Sequence, residues 1–265
     1  MGTSRTTDLV EAIGRAQRRL AHVLGDAPDP GPVVPHNGEW TVRDLLAHLV
    51  TVTSRYTPAG SHSERWADRP DQIAALNDAE IDALGGQAYP VLLHRLDAAV
   101  AALAHGPELD AADPMPYTGG TLVHPADLLG ILLGEFLVHG RDLAQVLDRP
   151  WEIGTEDAVR VLTALAPIMP AWVDPDGARG LTAVFEVRLR GHQSYWWNFT
   201  DGALTVERSR PAERVDVTFS ADPVALLLTS YRRVPLWKPI LGGKLRAWGR
   251  RGHLAFAVNS YFLAP

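Results

Sequence analysis

Apolar residues recur at helical spacing through the first two thirds of the chain and at every second position in the last third. Leu9, Val10, Ile13, Ala16, Leu20 and Val23 fall three and four apart, the mark of one helix face. A Gly-Asp-Ala-Pro-Asp-Pro-Gly-Pro run over residues 25–32 ends that helix. A second helix opens at WTVRD. Thr41 suits the N-cap, Asp44 answers the positive helix end, and Trp40 is positioned to staple onto Leu45. This helix is expected to reach about Tyr56. Weaker helical stretches over 71–84 and 90–105 are separated by Gly85-Gly86, and a loop rich in Pro, Asp and Gly leads to Pro125, suited to a first helical position. From there to about Leu147 nearly every face is apolar, which predicts a buried central helix. One more helix starts at Thr155 and ends near 167–170.

After Leu181 the period drops to two. Leu181, Ala183, Phe185, Val187 and Leu189 alternate with Thr182, Glu186, Arg188 and Arg190, a half-buried strand. SYWWNFT and ALTVE flank Asp201-Gly202, a strong hairpin signal. RVDVTFSA forms a third strand and runs into Asp222-Pro223, an N-cap and first-position pair opening the helix VALLLTSY. The strand KLRAW and a last helix from about His253 complete a β-β-β-α-β-α unit. The expected fold is therefore multi-domain, α followed by α+β: a helical bundle over 1–175 and a small α+β domain over 180–265. WVDPDGARG, residues 172–180, reads as the linker.

At 265 residues the chain is long enough for two cores. Its net charge of −6 gives no basic footprint, which argues against nucleic acid and against an anionic membrane surface. The longest apolar run, LLGILL, is far short of the ~20 residues that span a bilayer, and the N-terminus lacks a signal-peptide core. The expected setting is soluble and cytoplasmic, with small molecules as partners. With no cysteine, disulfides and thiolate ligands are excluded, and any thiol chemistry needs a thiol from outside.

GEFLVHGRDL, residues 134–143, places Glu135 and His139 four apart in an otherwise greasy helix. Side chains at that spacing project together. An ionised carboxylate there costs several kcal/mol unless a cation answers it. His48 on the second helix would complete a His, Glu, His set, three N/O ligands that suit zinc and leave a fourth position open. Asp142 or Asp44 would orient an imidazole from behind. Spacing alone also permits a plain Glu–His hydrogen bond and an exposed His48, which projects away from the stripe of Val42, Leu46, Leu49 and Val50. The aromatic group Tyr195, Trp196, Trp197 and Phe199 reads as core rather than pocket.

NGEWTVRDLLAHL, followed by GEFLVHGRDLA some ninety residues later, resembles the mycothiol-dependent maleylpyruvate isomerase family, a branch of the DinB-like metal-binding bundles. The last third, with WNFTDG, RVDVTFSADP and LGGKLRAWG, resembles the sterol-carrier-protein-like domain that follows the bundle in many members. The resemblance implies that His48, Glu135 and His139 ligate Zn2+ or another divalent metal, and that mycothiol is the thiol cosubstrate. It also implies a role for a late arginine, best matched by Arg246, as counter-charge for an anionic substrate. The implied activity is a metal- and thiol-dependent S-transferase or cis-trans isomerase. Two other classes stay open: a non-enzymatic carrier of an apolar ligand, and a metal-bearing regulator that turns nothing over.

Overall fold

The structure, a computed structural model, describes residues 2–25, 27–57, 66–103 and 113–264. The chain divides into two compact units, Met1–Ile153 and Gly154–Pro265.

The first unit is a helical bundle of α1 (Gly2–Leu24), α2 (Val42–Arg55), α3 (Ile73–Ala83), α4 (Tyr89–Leu103) and α5 (Pro125–Val146). Helix α1 packs on α4 and α5, and α2 packs on α3, α4 and α5. The α2 N-terminus forms where the sequence puts it: Thr41 and Asp44 make a reciprocal capping box, and the Asp44 carboxylate accepts the Thr41 backbone N–H at 2.8 Å. Helix α5 is the centre of the unit, because it is apolar on all sides and buries both faces, with Leu129, Leu132, Leu133 and Phe136 fully buried. The end of the helix expected over 90–105 lies outside the described residues. The loop before Pro125 contains a two-stranded hairpin that periodicity did not predict: β1 (Met115–Tyr117) and β2 (Thr121–Val123) pair antiparallel. The turn between them uses Gly119 and Gly120, both at positive φ, which glycine adopts without steric cost.

The second unit begins with α6 (Thr155–Leu165) and continues with β3 (Ala183–Leu189), β4 (Ser194–Thr200), β5 (Ala203–Glu207), β6 (Val217–Ala221), α7 (Pro223–Ser230), α8 (Trp237–Leu241) and β7 (Leu245–Trp248). The sheet runs β5-β4-β3-β6-β7, antiparallel except for the parallel β3–β6 pair. The expected final helix is a 3-10 helix, Gly252–Tyr261, and the short α8 was not predicted. One face of the sheet builds the core: Phe185, Phe199 and Phe219 pack with Tyr261 at ring separations of 5.8 to 6.2 Å. Tyr195 and Phe199 belong to that buried set, in keeping with their reading as core.

The division falls between 153 and 154, and the stretch 172–180 is part of the second unit rather than a linker. Ala178 is fully buried in the second core, Val173 bridges Phe262, and Asp174 N–H donates to the Tyr261 carbonyl at 2.9 Å. Helix α6 also joins this unit, packing on α7 and burying Val159 with the sheet residues.

Candidate metal centre

His48 sits in the middle of α2, on the side that meets α5. It is 3% exposed, so the outward-facing reading of this histidine does not hold. A projection of α2 alone cannot see that a second surface of the helix is covered. Trp40, in the loop before α2, lies with its ring 5.0 Å from that of His48 and donates its Nε1–H to Asp78 at 2.8 Å. From α5, Glu135 and His139 project one turn apart toward the same point.

The three side chains converge. Glu135 Oε2 lies 3.0 Å from His139 Nε2 and 3.4 Å from His48 Nε2. One ligand atom from each residue lies within 4.8 Å of the others. Tetrahedral ligands held at the usual bond lengths of about 2.0–2.1 Å stand roughly 3.3 Å apart, so the two separations from Glu135 suit ligands of one divalent ion. Glu135 retains 20% side-chain exposure, against 4% for His48 and 10% for His139, so the set is open on the carboxylate side.

The imidazoles differ behind their Nε2 atoms. His139 Nδ1 stands 3.4 Å from Asp142 Oδ2, close enough to feel the charge without the geometry of a full hydrogen bond. The same carboxylate oxygen accepts from Asn37 Nδ2 at 3.2 Å, and Asn37 is tied back to the Pro35 carbonyl at 2.9 Å. His48 Nδ1 is buried and has no hydrogen-bond partner among the described residues. Asp44, the other expected orienting carboxylate, is committed to the α2 capping box.

The electrostatics follow from this layout. Burial would raise the Glu135 carboxyl, but hydrogen bonds from His139 and His48 more than offset it and hold the group well below the usual carboxylate range. Burial lowers the His48 imidazole, only partly opposed by its contact with Glu135. For His139 burial acts in the same direction, yet the carboxylates of Asp142 and Glu135 outweigh it and raise the imidazole above its ordinary value.

Two tyrosines close to this charge were not found in the sequence. Tyr56, the C-cap of α2, and Tyr117, on β1, are buried, and each contacts Trp66, at ring separations of 5.3 and 4.9 Å. Burial above all pushes both phenols well above their ordinary value, and the Glu135 carboxylate adds to the shift. Tyr56 follows His48 by eight residues, a same-face spacing that was a usable signal. Tyr117 had none, because the hairpin carrying it is three residues per strand. Asn37 was equally invisible, since a loop residue reaching a side chain 105 positions away leaves no trace in periodicity.

Arg246, the expected counter-charge, stands on β7 at the edge of the second unit's sheet. It is exposed and makes no ion pair among the described residues.

A helical bundle bearing a buried His, Glu, His set that could hold a metal ion, followed by an α+β unit, defines the class of two-unit proteins to which the fold and site point. Residues 10–144 match the family model described as the mycothiol maleylpyruvate isomerase N-terminal domain, and the chain belongs to that family. Among solved structures, the crystal structure of the mycothiol-dependent maleylpyruvate isomerase matches at 16% identity and a TM-score of 0.53, over 91% of this chain and 92% of that one. A histidine-to-alanine mutant of that enzyme matches at 14% identity and a TM-score of 0.50, with the same coverage. At these identities the likeness speaks for the fold. A UbiJ-SCP2 ubiquinone synthesis protein aligns with 39% of this chain at 20% identity, but its TM-score of 0.28 is too low to bear on the fold. No curated protein matches the sequence.

Proposed function

We propose that this chain is a divalent-metal-dependent enzyme that activates a low-molecular-weight thiol, mycothiol by its family, for transfer to or isomerisation of a small electrophile. The observation that carries the reading is the convergence of His48 Nε2, His139 Nε2 and a Glu135 oxygen from two helices. Two neutral donors and one anion suit zinc, with nickel, iron or cobalt as alternatives. An ion held there would act as a Lewis acid that favours the thiolate form of a thiol whose free pKa is about 8.5.

The chain's own residues divide the remaining work. Asp142, itself held by Asn37, favours the proton on His139 Nδ1 and so leaves Nε2 as the donor atom. Tyr56 and Tyr117 stay protonated at neutral pH and serve as hydrogen-bond donors rather than bases. A donor of that kind can answer the oxygen charge that develops when a thiolate adds to a carbonyl-activated double bond. Arg246 is proposed as the counter-charge for an anionic substrate, supported by its exposure and its freedom from any ion pair among the described residues. The absence of cysteine agrees with an external thiol as nucleophile. Isomerisation and conjugation share the addition step and differ only in whether the thiol leaves again.

Elemental analysis of the purified protein, followed by a mycothiol-dependence assay on a panel of electrophiles, tests the reading. The expected result is about one metal per chain and turnover lost in His48→Ala together with the metal. Turnover and metal content both unchanged in that variant would sink it. Lipid copurifying in the absence of stoichiometric metal would favour the carrier reading instead.

A further inference from the structure

Charge along the chain is segregated. Seven of the 25 basic residues, including both lysines, lie after Asp222, and none of the 31 acidic residues does. The last 43 residues therefore carry +7 in a chain whose net charge is −6. The whole-chain charge argues against an anionic surface, but a surface within a Debye length of about 8–10 Å feels the local sign, not the total.

The same segment is where apolar side chains are left in water. Of the eight large hydrophobics exposed among the described residues, five lie between 237 and 256: Trp237, Ile240, Leu241, Trp248 and Phe256. Elsewhere they occur singly, which is ordinary. Four of the five belong to one corner, formed by α8, the Gly242-Gly243 turn and β7. Pro239 and Leu245 are buried and anchor the corner, and Lys244 N–H closes the turn by donating to the Pro239 carbonyl at 2.8 Å. Trp237 and Leu241 are 57% and 79% exposed, and Trp248 on β7 is 46% exposed. Lys238 and Lys244 are exposed between them and form no ion pair among the described residues. The Lys238 ammonium lies 5.7 Å from the Trp237 ring centroid.

We propose that this α8–β7 corner docks the protein onto the interface of an anionic lipid membrane, with Trp237, Leu241 and Trp248 entering the headgroup boundary and Lys238 and Lys244 meeting lipid charge. Tryptophan and leucine beside snorkelling lysines are the side chains that such an interface rewards. A second copy of the chain is the poorer occupant, because a two-fold contact would set the lysines of one corner against those of the other. Nucleic acid is poorer too, because bases stack on rings and gain little from a protruding Leu241 and Ile240. The proposal does not use the metal ligands, but Arg246 lies on β7 between Lys244 and Trp248, so a docked corner takes that arginine to the lipid and excludes its counter-charge role while docked.

The full chain is incubated with vesicles of phosphatidylcholine alone or with about a third phosphatidylglycerol, and partition is read by cosedimentation and tryptophan emission. Binding to the anionic vesicles, a blue shift, and release by salt are expected, with little binding to phosphatidylcholine. The double variant K238E/K244E should weaken partition by about tenfold or more, and Leu241→Asp should abolish the blue shift, each with an unchanged melting profile. Arg246 is left intact because of its proposed role. No partition at low salt, or equal partition of wild type and variants, overturns the proposal. So does a concentration-dependent dimer that Leu241→Asp disperses, which would assign the corner to a second copy. Tighter retention on a single-stranded oligonucleotide than on vesicles would overturn it likewise.

Discussion

His139 carries the sharpest electrostatic consequence of the site. Its imidazole is raised because, against the cost of burial, it faces the carboxylates of Asp142 and Glu135. A proton therefore competes with a metal for Nε2, and the sign is fixed: affinity falls about tenfold per pH unit below the raised value and levels off above it. Competition with a chromophoric chelator across pH should show this single-proton slope. Asp142→Asn removes one of the two carboxylates, so the plateau should begin at lower pH and its affinity should drop roughly 10- to 100-fold. An unshifted profile would mean that Asp142 only packs. Spacing on one helix made Glu135 and His139 legible as a pair. His48 was not, because projecting a single helix shows its main stripe and hides the second surface that α5 covers. It stood only as a candidate third ligand against an exposed reading, and the resemblance of two motifs was what favoured it.

Long, uniformly apolar α5 and the capped start of α2 were readable because each signal is local and repeated. The β1–β2 hairpin and α8 were not: three-residue strands and a five-residue helix containing Pro239 are too short to develop a period. Helix α6 was recognised but assigned to the wrong unit, since helical spacing states that a face is buried and not against what. One position in α5 links packing directly to the ligand set. Beside His139, Gly140 lies under the Trp151 ring, where an added Cβ would come within 2.2 Å of the indole. Trp151 is held from both sides, donating Nε1–H to the Leu137 carbonyl at 3.0 Å and lying under the Arg19 guanidinium at 4.4 Å. The ring has little room to yield. Gly140→Ala should thus destabilise the first unit by about 1–3 kcal/mol in urea unfolding. It should also weaken metal binding, because α5 must shift to relieve the contact.

Two units with separate cores need not unfold together. The proposed metal ligands all belong to the first, so an ion bound by them would stabilise that unit and have no direct purchase on the second. Ligand binding to a native state adds RT ln(1 + [L]/Kd), about 2.7 kcal/mol at a hundredfold excess over Kd. Tryptophan reports on both: Trp40, Trp66 and Trp151 lie in the first unit, while Trp172, Trp196, Trp197, Trp237 and Trp248 lie in the second. Denaturant unfolding with zinc, and again with a chelator, should therefore separate into two transitions of which only one moves. That movement should be lost in Glu135→Gln, whose second unit keeps its aromatic core of Phe185, Phe199, Phe219 and Tyr261 and its own transition. If both transitions shifted equally with metal, the units would be energetically coupled and the metal would act on the chain as one body. If neither moved, the three converging side chains would hold no ion under those conditions, and the pairs of Glu135 with His48 and His139 would stand as a purely structural cluster.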